Sequence, residues 1–299
     1  FISVPAVFEV MYRKVMKTIE KKGKLDAFNK GIKISQTLLK VGIDVRKKVF
    51  KEIHDNLGGE LRIAVAGGAA FDPEIQKGFN NLGINVLQGY GLTESSPVIA
   101  AETPKEKKIG AVGKKFPSVQ VKIENPDEEG VGELLAQGPS IMLGYYENEE
   151  ATKAALDKHG WLHTGDLAKI DKDGYIYIAG RKKSVIVLNN GKNVYPEELE
   201  NLLNKVEGIK ESLVYEKKED GDVKVCTKIV YDKDLIKDLY NIDGEDNIRE
   251  FLWNKVKEVN NLMPKYKYIK EMIITEEELI KTTTLKIKRH EEMKKIFNK

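Results

Sequence analysis

The sequence predicts an α/β protein in three successive parts: a portion built on a parallel sheet, a β-rich subdomain, and a small α+β unit. Three observations carry that expectation. Between 61 and 91 an apolar strand, a capped helix and a second apolar strand follow one another, the unit of a parallel sheet. From about 109 to 182 short apolar runs are broken by Gly and Asn-Pro, which reads as β-rich. From 184 onward helical patterns alternate with one long hairpin.

The elements follow in order. Residues 5–57 read as helices: "AVFEVMYRKVMKTIEKKG" and "DVRKKVFKEIHDNLGG" both repeat apolar positions at helical spacing and stop at glycine, with "FNKGIKISQTLLKVG" a shorter helical piece between them. Their basic faces admit contact with anionic lipid, although a solvated helix face accounts for the same pattern. "LRIAVAGGAA" (61–70) is a strand ending in glycines. "DPEIQKGFNNLG" (72–83) is a helix with Asp72 as cap and Pro73 in its first turn. "INVLQGYG" (84–91) is the next strand. Ligands of such sheets lie beyond the carboxyl ends of the strands. In the β-rich part "VQVKI", "VGELLAQG", "WLHTGDLAKI" and "GYIYIAG" are strands, "DKDG" (171–174) is a tight turn and "EEATKAALDKHG" a helix. The last part reads as a strand and loop in "SVIVLNNGKNV", a helix in "PEELENLLNKVEG" and a hairpin turning at Asp220–Gly221. A second helix, "EDNIREFLWNKVKEVNNLM", and a strand, "YIKEMIIT", follow.

Bulk composition excludes several classes. Fifty Lys and Arg nearly balance 47 Asp and Glu, and a net charge of +3 does not point to nucleic acid as the main partner. Cys226 is the one cysteine, so there is no disulfide framework and no cysteine-rich metal site, and a cytoplasmic setting fits. No run of 18 apolar residues exists to form a transmembrane helix. The first residues lack a starting Met, which fits a partial chain.

Four stretches look chemical. In "LQGYGLTESSPVIA" (87–100), Gly89 and Gly91 permit tight backbone, and the ring of Tyr90 can stack on a purine. The Thr93 hydroxyl can reach a phosphate oxygen, and the Glu94 carboxylate can hold Mg²⁺; an ordinary polar turn is the other reading. In "GWLHTGDLAKI" (160–170), Asp166 can accept both hydroxyls of a ribose, or simply close an Asx turn. His159 and His163 have the spacing of two metal ligands, but Gly160 breaks the helix that spacing needs. In "IAGRKKSVIVLNNGKNVYPEELE" (178–200), Arg181 can pair with ribose or phosphate oxygens, and "NNGKN" can present backbone N–H groups. The fourth is "IKTTTLKIKRHEE" (280–292). Its acidic flanks and lack of interleaved aromatics argue against nucleic acid, and a solvated charged tail is its plainest reading.

In order along the chain, "GGAA" (67–70), "YGLTE" (90–94), "GELLAQGPSIMLGYYENEEAT" (132–152), "GWLHTGD" (160–166), "GRKKSVIVLNNGKNVYPEELE" (180–200) and "MPKYKYIK" (263–270) resemble the motif series of the adenylate-forming superfamily, acyl-CoA synthetase branch. "VPAVFEVMYRKV" (4–15) further resembles the long-chain fatty acid–CoA ligases. The resemblance implies that 1–107 is the carboxyl-terminal portion of a large α/β domain. It makes 108–182 a distorted-barrel subdomain and 183–299 a small mobile lid. It implies the ligands ATP, Mg²⁺ and coenzyme A, and a fatty acid or other carboxylic acid as substrate. A carboxylate attacks the α-phosphate of ATP and expels pyrophosphate, and the thiol of coenzyme A then attacks the acyl-adenylate. By the same resemblance Tyr90 stacks near adenine with Gly68, Ala69 and Gly91 beside it. Thr93 touches the α-phosphate, Glu94 holds Mg²⁺, and Asp166 with Arg181 takes the ribose. Lys183 lies at the hinge and Gly191 on the pantetheine path. Lys286 matches the catalytic lysine, with Lys288 and Arg289 as alternatives in register.

Two departures stand out. Most of the superfamily has Gly before that lysine, where this chain has Leu285, as the long-chain branch often does. Thr-Pro-Thr is replaced by "TTT" (282–284), with Thr283 at the proline position. Nothing in the 299 residues matches the family's Ser/Thr/Gly-rich phosphate loop, so the isolated chain is expected to be inactive. Loading of a carrier protein, a shorter or aryl acid, and a non-catalytic binding protein remain as alternatives. A lipid substrate admits peripheral membrane contact.

Overall fold

The structure, a computed structural model, describes residues 1–282 and 286–297. Thr283 and Leu285, the two departures in the lysine stretch, fall outside the described residues. The chain forms two compact units, Phe1–Ile178 and Ala179–Lys299.

The first unit opens with β1 (Ile2–Ser3) and a helical layer of α1 (Pro5–Lys21), α2 (Leu25–Lys40), α3 (Arg46–Val49) and α4 (Lys51–Asn56). Then come β2 (Ile63–Gly67), α5 (Pro73–Asn81), β3 (Asn85–Gly91), β4 (Val98–Ala101) and β5 (Lys114–Lys115). They build a five-stranded sheet in the order β1-β2-β3-β4-β5. β1, β2 and β3 are parallel, and β4 and β5 run antiparallel. The expected strand–helix–strand unit is thus β2-α5-β3, with Gly67 at the end of β2 opposite Gly89 of β3. α5 starts where its sequence dictates. The Asp72 carboxylate accepts the Glu74 N–H at 2.9 Å, and Pro73 occupies the first turn, where no N–H is needed. The sheet is sealed by Phe8 of α1, Phe79 of α5, Ala64, Ala66 and Val86, all buried in one cluster.

Two expectations for the helical layer need correction. The middle helix is not a short piece but runs from Leu25 to Lys40, because Phe28 and Ser35 both find buried positions along it. The helix expected over 44–59 is interrupted at Phe50, which turns its ring inward against Phe28, centroids 5.5 Å apart. Sequence patterning also missed β1, whose two residues are too few to show a period.

The rest of the unit is β6 (Gln120–Glu124), β7 (Gly132–Gln137), α6 (Glu149–Ala155), β8 (Leu162–Ile170) and β9 (Ile176–Arg181). These strands form a four-stranded sheet in the order β6-β7-β8-β9. Among the described residues no ladder joins β6 to β9, so the barrel implied by the resemblance is open along that edge. β9 runs across the division between the units.

The second unit contains β10 (Ile186–Val187), β11 (Asn193–Val194), α7 (Pro196–Leu203), β12 (Ile209–Glu219), β13 (Asp222–Tyr231), α8 (Lys233–Tyr240), α9 (Glu245–Asn260), β14 (Glu271–Thr275) and α10 (Arg289–Phe297). β12 and β13 make the expected hairpin. Asp220 and Gly221 have φ of +52° and +82°, the pair of positive values a two-residue type I′ turn requires. β14 adds in parallel beside β13. Side chains alternate across this sheet. Val214 and Ile229 join Leu199 of α7 and Leu252 and Val256 of α9 on one face. Leu213 and Val230 point the other way, to Leu279, Met293 and Ile296, so α10 covers the second face. The sequence reading placed no helix there and none at α8. Among the described residues no helix is long and apolar enough to cross a membrane.

Candidate active site

In the first unit the candidate residues gather at the carboxyl ends of β2 and β3. Gly68, with φ +85°, and Ala69 follow β2 and are exposed. Past Gly91 the chain enters a 3₁₀ turn, Thr93–Ser95. The buried Ser95 hydroxyl fixes this loop, accepting the Leu92 N–H at 3.0 Å and donating to the Pro97 carbonyl at 2.6 Å. The Leu92 N–H also reaches the Pro97 carbonyl at 2.9 Å. That closure leaves no space at Gly91, where an added Cβ would sit 1.7 Å from the Pro97 oxygen. Gly91→Ala is therefore expected to destabilise the unit by about 1–3 kcal/mol, read by urea unfolding of the chain. An unchanged midpoint would mean that the loop opens freely.

Two hydrogen bonds place the functional groups of that loop. The Tyr90 hydroxyl donates to Asp166 Oδ2 at 2.6 Å, joining β3 to β8. Asp166 is buried, and its N–H is held by the Thr164 hydroxyl, which itself donates to the Leu134 carbonyl at 2.6 Å. Glu94 is half-buried, and its Oε1 accepts the Tyr145 hydroxyl at 2.8 Å. That bond to the carboxylate raises the Tyr145 pKa above the ordinary phenol value. The Met142 N–H donates to the Glu94 carbonyl at 2.8 Å. Thr93 is exposed beside it. Sequence reasoning assigned nothing to Tyr145, although it lies inside the quoted "GYYENEEAT". Its signal was a phenol in an otherwise unexplained loop.

The histidines part company. Among the described residues the group whose spacing would suit a metal ion is Glu124, Glu133 and His163, not His159 with His163. His163 Nδ1 is 3.3 Å from Glu133 Oε2 and 3.8 Å from Glu124 Oε2. The two glutamates face each other across β6 and β7, so the ring stands between like charges that would otherwise repel.

In the second unit, Arg181 ends β9 and Lys183 lies in the 3₁₀ turn Lys182–Ser184; both are exposed. Gly191, φ +78°, lies in the tight turn between β10 and β11. Asn189 ties that turn to the β12–β13 turn, donating to the Gly221 carbonyl at 2.9 Å and to Asp222 at 3.0 Å.

The lysine stretch is pinned on both sides. Before it, Lys281 pairs with Glu211, and the Leu279 N–H donates to the same carboxylate at 3.2 Å. Lys281 bridges to Ile287, and the Lys286 N–H is accepted by the Thr282 hydroxyl at 3.1 Å. After it, Nη2 of Arg289 donates to both oxygens of buried Glu200, at 2.6 and 2.5 Å, and Nη1 donates to the Val214 carbonyl at 3.0 Å. Glu292 of α10 pairs with Lys228 at 2.8 Å and accepts the Ile280 N–H at 2.7 Å. Lys288 pairs with Glu291 at 2.9 Å. Lys286 itself is exposed, and its ammonium has no carboxylate partner among the described residues.

Residues 1–146 match the AMP-binding enzyme family, and residues 183–298 match the AMP-binding enzyme C-terminal domain. The chain belongs to the AMP-binding enzyme family. It is 35% identical over 215 residues to the long-chain-fatty-acid–CoA ligase FadD15 of Mycobacterium bovis, covering 68% of this chain and 35% of that protein. Fatty acyl-CoA synthetase B of Dictyostelium discoideum is 29% identical over 342 residues, covering all of this chain and 50% of the relative. Among solved structures, o-succinylbenzoate coenzyme A synthetase of Bacillus subtilis, in complex with ATP and a magnesium ion, is similar with a TM-score of 0.63 and 26% identity. That likeness covers 80% of this chain and 49% of the synthetase. The chain thus spans a third to a half of the length of these relatives, and an α/β fold of adenylate-forming type is shared.

Proposed function

We propose that the chain is the carboxyl-terminal part of an ATP-dependent carboxylate–CoA ligase acting on long-chain fatty acids. The observation that carries this reading is Lys286: an ammonium without an ion-pair partner among the described residues, on a loop anchored at both ends, in a chain of this family. Asp166 accepts the ribose hydroxyls; its carboxylate is already aimed by Tyr90, whose ring borders the adenine. Arg181 supplies a cation for ribose or phosphate oxygens, and Thr93 a hydroxyl for the α-phosphate. Gly68, Ala69 and Gly91 let the nucleotide approach the backbone.

The donor set fits magnesium held in the way that ion prefers, by one carboxylate and substrate phosphates with water. Glu94 is that carboxylate, and Tyr145 orients it. Bound there, Mg²⁺ would neutralise phosphate charge. Lys286 meets the acyl carboxylate and the α-phosphate, two anions that repel, and offsets the charge that builds as pyrophosphate leaves. Gly191 borders the path of coenzyme A, whose thiol attacks the acyl carbonyl and releases AMP. Lys183 is the hinge.

The long-chain assignment is supported by the named relatives and by the sequence around Leu285. Pyrophosphate release by the polypeptide that contains this chain, across fatty acids of increasing length, tests it. Long-chain acids should give the highest kcat/KM, with acyl-CoA as product. Preference for a short or aryl acid, or transfer only to a carrier protein, would overturn the assignment. The 299 residues alone, without a Ser/Thr/Gly phosphate loop among them, should form no acyl-CoA.

A further inference from the structure

We propose that the basic face of α2 and the turn that follows it dock on an anionic lipid bilayer. The charge of the chain is unevenly spread. Residues 1–57 hold thirteen Lys or Arg against six Asp or Glu, a net +7 in a chain of net +3, so the remainder is −4. Inside 30–51 the ratio is seven to one. The one acid, Asp44, is held by the Arg46 guanidinium at 2.7 Å. Lys30, Lys33, Lys40, Lys47 and Lys48 are exposed and make no ion pair with the described residues. Lys22 and Lys24 are compensated by Glu52 and Lys51 by Asp55, whereas Lys14, Lys17 and Lys21 of α1 are exposed and likewise make no ion pair with the described residues.

A second observation selects the partner. Lys30, Lys33, Ile34 and Thr37 recur at helical spacing on the exposed face of α2, opposite Phe28 and Ser35, which are buried. Ile34 is 58% exposed, and Val41 and Ile43 in the turn are 71% and 53% exposed. A nucleic acid would use the lysines but leave these aliphatic side chains in water, and the exposed residues of the face offer no aromatic ring for a base to stack on. A bilayer accommodates both: lysines at anionic headgroups, Val41 and Ile43 at the acyl boundary. The surface would bring the protein to a membrane whatever reaction it performs, so it stands or falls independently of the ligase reading.

Co-sedimentation of the polypeptide that contains this chain with vesicles tests this. Binding to phosphatidylcholine vesicles containing phosphatidylglycerol should be about tenfold or more tighter than to phosphatidylcholine alone, and should weaken steeply as salt rises. V41D/I43D and K33E/K40E should each lower binding about tenfold with the melting temperature unchanged, because these side chains are exposed. K233E, a charge reversal in the other unit, should bind as the parent does. Equal binding to neutral and anionic vesicles would overturn the proposal. So would parent-level binding by V41D/I43D, or a single-stranded oligonucleotide that binds more tightly and strips the vesicles. Self-association through this face without vesicle binding would overturn it too.

Discussion

In the full polypeptide, Lys286→Ala should lower acid-dependent pyrophosphate release by about 10²–10³-fold, the scale of losing one preorganised charge from a phosphoryl-transfer transition state. Thioester formation from supplied acyl-adenylate should persist, because that step no longer joins two anions. The structure sharpens the choice of lysine within the stretch. Lys281 is committed to Glu211, Lys288 to Glu291 and Arg289 to Glu200, whereas Lys286 is exposed and unpaired among the described residues. Lys288→Ala should therefore leave adenylation within a few fold, since exposed pairs such as Lys288–Glu291 contribute little. Lys286→Arg keeps the charge but spreads it over a planar fork, so it should restore only part of the rate. A loss shared equally by both half-reactions would remove the proposed role, and a larger loss in Lys288→Ala would move it two residues on.

The same stretch shows where sequence reasoning reaches its limit. Element types around β2, α5 and β3 were legible because local chemistry fixes them: short apolar runs, an Asp cap, a proline in the first turn and a terminal glycine. The hairpin at Asp220–Gly221 was legible for the same reason, since few residues tolerate its two positive φ values. α10 was not. "RHEEMKKIF" is charged almost throughout, and its case for being a helix is tertiary: Leu213 and Val230 leave a sheet face that something must cover, and Met293 and Ile296 cover it. In the site, single residues with distinctive chemistry stood out, as Asp166 and Glu94 did. Tyr145 did not, because its bond to Glu94 joins positions 51 residues apart. Arg289 was read as a rival catalyst because a sequence shows that a cation is present but not that Glu200 already holds it.

Arg289→Ala should destabilise the second unit by about 3–5 kcal/mol, read by urea unfolding. The guanidinium joins three elements: it donates to Glu200 of α7 and to the Val214 carbonyl of β12, and it begins α10 itself. Glu200 closes the ring by accepting the Val214 N–H at 2.7 Å. Truncation would leave a buried carboxylate with one backbone donor. Burial already pushes the Glu200 carboxyl up, to about 7, against the pull of Arg289. Without that cation the folded-state value must rise further, while the unfolded value stays near that of a free carboxyl. A carboxyl whose pKa is higher folded than unfolded binds more protons in the folded state between the two values, so stability falls as pH rises through that window. The Arg289→Ala deficit should accordingly be smaller near pH 5 than near pH 8. Glu200→Gln in the same background should flatten that dependence, because the amide cannot ionise. Arg289→Lys should recover only part, since one ammonium lacks the second nitrogen that lets the guanidinium hold Glu200 through Nη2 and the Val214 carbonyl through Nη1 at once. Because Lys286 lies three residues before Arg289, the alanine variant should also lose adenylation through the slackened loop, and cooling or lowered pH should restore part of it. A pH-independent deficit, or full rescue by lysine, would mean that Arg289 acts through packing alone and that the loop is held elsewhere.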